Sequence, residues 1–217
     1  MDVIGTSKSC NEVEAAALAV AVFKGEKPTS GLLKQLDTAT AGMISDAIDS
    51  DEFSGKQGET AYFHVSHKGL KARRILLIGC GDQSSYKAAQ ITQMGGIATR
   101  YLRGKSVKTI AIIPRAEGDA EKVAQTSAVG AVMGLFEPDK YRKEKEKREI
   151  KSVTVVIEDA DKKAVQRGAD RGRIIGESTN FTRDLANEPG AWMTPTIMAD
   201  RAKQVAKEFG LSIDVLD

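Results

Sequence analysis

"RRILLIGCG", Arg73 to Gly81, decides how this chain is read. Ile75 to Ile78 run apolar without a polar break, and a glycine stops them. A short continuous apolar run of this kind fits a strand buried on both faces. Such a strand needs a layer on each side. "ALAVAVFKG" (Ala17–Gly25), "KTIAIIP" (Lys108–Pro114) and "SVTVVIED" (Ser152–Asp159) repeat the signal. "TAYFHVS" (Thr60–Ser66) alternates instead, as a half-covered strand does.

Helical spacing fills the intervals. Leu32, Leu33 and Leu36 share one face, and Met43, Ile44 and Ile48 share another. A helix is expected from about Ser84 to Arg103. A further helix, Asp119–Phe136, sets Ala124, Ala128, Ala131 and Leu135 in a small-residue stripe suited to lying close on a sheet. Strands alternating with helices predict an α/β three-layer sandwich with a mixed, mostly parallel sheet. Arg73–Gly79, Thr109–Ile113 and Ser152–Ile157 are expected to be central in it.

The totals agree. Of 217 residues 41% are hydrophobic and 29% charged, which fits a globular chain; with 5% aromatics, the core is expected to be aliphatic. Net charge is +2 from 32 basic and 30 acidic side chains, so there is no overall attraction to nucleic acid or to a membrane. Cys10 and Cys80 read as free thiols of a reducing compartment. The apolar run Ala15–Phe23 is too short to span a bilayer and lacks a basic leader. A cytoplasmic location is expected.

Arg142 to Glu149 are all charged, five basic and three acidic, and read as a solvated loop. A long helix follows, roughly Asp161 to Asn187, with Ile174, Ser178, Phe181 and Leu185 as its apolar stripe and a charged first half. At 1.5 Å per residue it would run about 40 Å, which suits a link between units. Pro189 and Gly190 end it. Thr194 then serves as N-cap and Pro195 as the first helical residue. Met198, Ala202, Val205 and Phe209 form the stripe of this last helix, and "LSIDVLD" (Leu211–Asp217) reads as a strand. The expected division is 1–160 for the sheet domain, 161–190 for the linker and joint, and 191–217 for the opening of a second domain.

Chemical signatures are few. His64 and His67, three apart on a strand, face opposite ways and cannot share a metal. "GCGDQSS" (Gly79–Ser85) is half of a nucleotide-binding turn, with Gly79 and Gly81 as the candidate loop glycines. The third glycine is missing, so a tight turn explains it more simply. Cys80 reads as a small buried thiol. The clusters Asp159/Asp161 and Asp49/Asp51/Glu52 read as helix-end carboxylates.

"NFTRDLANEPGAWMTPTIMADRAKQVAKEFGLSIDVLD" closely resembles the segment joining the two domains of the leucyl aminopeptidase family of metallopeptidases. Arg183, Asp184, Leu185, Asn187, Glu188, Pro189, Thr194 and Pro195 carry the likeness, and "FKGEK", "DEFSGKQGET", "RRILLIGCG" and "SVTVVIEDA" extend it upstream. The resemblance implies a macro-domain-like N-terminal fold. It implies a joint made by those residues with Trp192 packed against it. It implies that two divalent metals, manganese or zinc, belong to a catalytic domain absent from this sequence. That domain's metal-binding stretch, Asn-Thr-Asp-Ala-Glu-Gly-Arg, does not occur here, so no metal is expected on this chain itself. Implied partners are that catalytic domain, further copies in a hexamer, and peptide substrate in the longer protein. Two other readings compete: a nucleotide or ADP-ribose module resting on "GCGDQSS", and a DNA-binding regulator resting on Arg142–Glu149.

Overall fold

A computed structural model describes residues 1–65, 69–138, 141 and 148–216. The charged run Arg142–Glu149 lies largely outside the described residues, as does His67. The chain forms two units, 1–178 and 179–217.

The first unit holds a six-stranded sheet. Its strands are β1 (Asp2–Thr6), β2 (Ala17–Val22), β3 (Thr60–His64), β4 (Arg74–Gly79), β5 (Thr109–Ile113) and β6 (Ser152–Val156). They lie in the order β1-β6-β5-β2-β4-β3. All pairings are parallel except β3 with β4. Between the strands run α1 (Gly31–Ala39), α2 (Met43–Asp49), α3 (Ala88–Gly104) and α4 (Ala120–Met133). After β6 comes α5 (Lys162–Ala186). The expected α/β sandwich and its three central strands are present.

Alternation along the strands builds two large cores, and a third, smaller one joins Val3 and Val155 to α4 and α5. Leu76, Ile78, Ile110 and Ile112 turn toward α3, with Met94, Ala98 and Leu102. Ile75, Leu77, Ala111 and Ile113 turn the other way, onto Leu33, Leu36 and Ile44 of α1 and α2. β2 sits between and is wholly buried. Ala17, Ala19 and Ala21 lie on its α3 side, small enough to admit the helix layer.

The sequence reading missed β1. "DVIGT" carries an acid and a glycine and shows no apolar run. Its glycine has a spatial reason: a Cβ on Gly5 would lie 2.5 Å from the backbone of Val165.

The stripe expected on α5 also needs correction. Ile174 is 56% exposed and Phe181 41%. The buried side of α5 lies earlier, at Val165, Gly168, Ala169, Gly172 and Gly176. These small residues let α5 approach α4, while Arg167 and Arg171 reach over to Glu121. The charged first half of α5 therefore packs as part of the sheet unit. A search for large apolar residues passes over such a contact, because its surface is mostly backbone.

In the second unit, α6 (Pro195–Phe209) starts and stops where expected. Residues 211–216, expected as a strand, have no regular structure. A strand exists only when a neighbour takes its backbone hydrogen bonds, and among the described residues none does so here.

The α4–α5 contact yields a prediction. A methyl at Gly168 would meet the carbonyl oxygen of Glu121 at 2.1 Å. Alanine gains about 1 kcal/mol of helix propensity over glycine, but overpacking costs about 1–3 kcal/mol. Gly168→Ala is expected to lower the melting temperature; an equal or higher value would show that the helices are not this close.

Candidate functional site

The carboxyl ends of β2, β4 and β5 open onto a cleft of about 610 Å³, lined by Phe23, Tyr86, Lys87, Arg115, Lys122 and Thr126 among others. Loops diverge at this end of a parallel sheet, which makes it the usual place for a site.

Arg115 organises the cleft. It follows β5 with φ 51°, an uncommon conformation for a non-glycine residue. Its two terminal nitrogens fork onto the Glu26 carboxylate, and Nη1 also donates to the Ala21 carbonyl at 3.0 Å. The guanidinium lies 5.5 Å from the centre of the Phe23 ring, and Phe23 meets Tyr86 edge-on at 5.2 Å. Glu26 Oε2 also accepts the Phe23 amide at 3.1 Å. The pair thus ties the loop after β2 to the loop after β5. Its charges satisfy each other, so Arg115 is no open anchor for an anion. Sequence reading missed this pair, since "FKGEK" and "IIPR" lie about ninety residues apart and only the sheet order makes them neighbours.

Gly79 and Gly81 serve close approach. A Cβ on Gly79 would fall 2.0 Å from the Lys56 carbonyl oxygen. The amides of Gly79, Cys80 and Gly81 donate to Glu59, Val22 and Gly55 respectively. These three amides are therefore engaged by the neighbouring backbone and do not point at a ligand. The turn runs into a short 3-10 turn at Gln83–Ser85.

The loop facing it is held by Glu59, whose carboxylate accepts from the Ser54 and Lys56 amides and the Ser54 hydroxyl at 2.9–3.1 Å. Burial pushes the Glu59 carboxyl up, but these donors outweigh it and hold the group below its usual value of 4.5. Cys80 is buried, and burial raises its thiol to about 11, so it stays protonated and unreactive. Burial also raises the neighbouring Tyr86 phenol.

The joint residues fall in the second unit. Asn187 Nδ2 donates to the Arg183 carbonyl at 2.7 Å, and Arg183 Nη1 to Asn180 Oδ1 at 3.5 Å. The amides of Trp192 and Met193 both donate to the Pro189 carbonyl, closing a turn. Thr194 Oγ1 accepts from the Ile197 amide at 3.3 Å, and Pro195 begins α6. Asp184 is exposed, Glu188 half-buried. Trp192 is 66% exposed. On α6, Met198 and Phe209 are exposed, and Ala206 is its buried residue.

One carboxylate of each acidic cluster has a structural partner. Asp161 accepts from the Lys163 and Ala164 amides, and Asp49 pairs with Lys27. Among the described residues, no group of three His, Cys, Asp or Glu side chains gathers to hold a metal. No helix among them is long and apolar enough to cross a membrane.

Two predictions follow from the clamps. Arg115→Ala leaves a mostly buried carboxylate with fewer partners and is expected to cost about 1–3 kcal/mol in denaturant unfolding; no change would remove Arg115 as the tie. Glu59, depressed in the folded state, contributes stability above its unfolded pKa that is lost as pH falls through the folded value. Glu59→Gln is therefore expected to flatten the acid side of the stability profile, and an unchanged slope would contradict the role given to it.

The family model described as the cytosol aminopeptidase family, N-terminal domain, matches residues 19–145. A probable cytosol aminopeptidase of Solibacter usitatus is 38% identical over 210 residues, covering 97% of this chain and 41% of the relative. One of Alkaliphilus metalliredigens is 31% identical over 207 residues, covering 92% of this chain and 41% of the relative. A tomato leucine aminopeptidase mutant has the same fold, with a TM-score of 0.83 at 22% identity, over 97% of this chain and 43% of that one. A bottromycin maturation enzyme in complex with Mn follows at 0.67 and 22% identity, over 90% of this chain and 37% of that one. The chain thus spans about two fifths of the length of the relatives it matches.

Proposed function

Because the chain belongs to the cytosol aminopeptidase family, of which it is N-terminal portion, we propose that it serves assembly and access in a metal-dependent leucyl aminopeptidase. The observation that carries this is the pairing of a match to the N-terminal domain with coverage of 41% of a relative's length. Catalysis in the longer protein belongs to a C-terminal domain that releases N-terminal amino acids from peptides. Two divalent metals, manganese or zinc, would supply an activated water there. The residues present here do not fit such a pair, because no metal-holding group forms among the described ones, and no step is routed through them. The longer protein would act as a hexamer in the cytoplasm.

The second unit supports this reading. Ile197, Met198, Phe209, Leu211, Ile213, Val215 and Leu216 are all exposed. Burying a large apolar side chain is worth about 1.5–3 kcal/mol, so this surface is costly in water. We assign residues 191–217 to the start of the catalytic domain, whose further strands would pair with "LSIDVLD". Arg183 to Pro195 form the joint, and Trp192 packs once that domain is in place.

The test compares the 217-residue chain with its fusion to the C-terminal portion of a close relative. The chain alone is expected to release no leucine from leucyl amide with added Mn²⁺ or Zn²⁺, and the fusion to release it. Metal-dependent release by the chain alone, or an inactive but folded fusion, would overturn the proposal.

A further inference from the structure

The two edges of the sheet are finished differently. On β1, the Gly5 amide is met by Gln166 Oε1 at 2.9 Å, so α5 guards that edge. Among the described residues, β3 has no such guard. In its ladder Gly79 donates to Glu59 and Val65 donates to Arg73, on the register that pairs Thr60 with Ile78 and His64 with Arg74. Antiparallel bonding alternates along a strand. Ala61 and Phe63 therefore direct their backbone groups at β4, while Thr60, Tyr62 and His64 direct theirs outward. Among the described residues, none bonds to these outward groups. Thr60–His64 contains no proline and no lysine, the usual means of blunting an open edge.

We infer that β3 is the contact through which two copies of this chain join their sheets, antiparallel about a two-fold axis at Tyr62. The inference specifies one contact of the oligomer proposed above and rests on that reading only for oligomerisation, not for activity.

A second copy fits because the edge is self-complementary. The outward residues are centred on Tyr62, so a two-fold there sets Tyr62 against Tyr62 and Thr60 against His64 of the second copy. Every outward N–H and C=O then finds a partner, about six hydrogen bonds in all. A slip by two residues would strand part of them. Side-chain sizes agree with the same register. On the α1–α2 face Ala61 comes opposite Phe63 of the second copy, small against large. No Asp, Glu, Lys or Arg lies in Thr60–His64 itself, so the paired strands carry no like charges of their own. Tyr62 is already set in place by Tyr101, 5.7 Å away, with the Lys105 ammonium over both rings. The strand therefore needs little ordering before it pairs.

The experiment uses the full 217-residue chain. Sedimentation across a concentration series is paired with residue-resolved amide exchange. The expected result is a dimer at high concentration, with the Thr60, Tyr62 and His64 amides exchanging at least roughly tenfold more slowly than in the dilute monomer. His64→Pro deletes an outward donor that the ladder does not use, and should abolish both dimer and protection without lowering the melting temperature. Thr60→Lys, which adds a like charge at each end of the pair, should weaken the dimer even if the proline variant fails to fold. A monomer at every concentration overturns the inference. So does a dimer with fast exchange at Tyr62, as association through the apolar residues of α6 would give. Activity of a fused catalytic domain is unaffected by either result, so the two proposals fail separately.

Discussion

The close approach of three helices governs the rest of this molecule. α3, α4 and α5 cover one face of the sheet, and they touch through backbone rather than through large side chains. A Cβ on Gly130 would lie 2.0 Å from the Thr92 carbonyl oxygen, and one on Gly95 2.6 Å from that of Ser127. Gly168 and Gly172 make the same kind of contact from α5. Backbone contact at this range demands small residues at fixed places on all three helices. It also brings Glu121 within reach of both Arg167 and Arg171, so the charged side of α5 is held where it meets water.

Beneath these helices β2 turns alanines toward α3, while its neighbours β4 and β5 turn Leu76, Ile78, Ile110 and Ile112 the same way. The carboxyl ends of β2, β4 and β5 lie side by side, and their loops border the cleft. Two acidic residues settle the arrangement. Glu59 gathers the donors of one loop, and Glu26 binds the guanidinium of another. The polar groups at this end are largely spent on each other. A cleft built this way holds its loops in place.

The second unit obeys a different constraint. Its helix is well capped at both ends, by Thr194 and by Gly210 in a left-handed conformation. Capping is local and needs no partner. Burial is not local, and here it is largely unmet: Phe209 is 67% exposed and Leu216 89%. Local signals have made the helix, and they leave much of its apolar side exposed.

The sequence by itself determined the buried strands, the alternation of strand and helix, and the ends of α6. Each depends on a run or a cap within a few residues of itself, and hydrophobic periodicity records such things directly. The long apolar runs of β2, β4, β5 and β6 have almost no other solution. The joint assigned to Arg183–Pro195 rests on resemblance to a known family, not on a function implied by spacing. Tertiary structure alone decided the rest. β1 is a strand only because β6 offers it a ladder and Gly5 lets α5 pass. The buried side of α5 is set by glycines, which carry no hydrophobic signal until a second helix lies on them. "LSIDVLD" has a strand's pattern, yet residues 211–216 form none, since a strand is made by its neighbour. Arg115 and Glu26 became partners through the placing of β5 beside β2. Such contacts join residues distant in the chain, and their energy depends on distances that only the folded arrangement fixes.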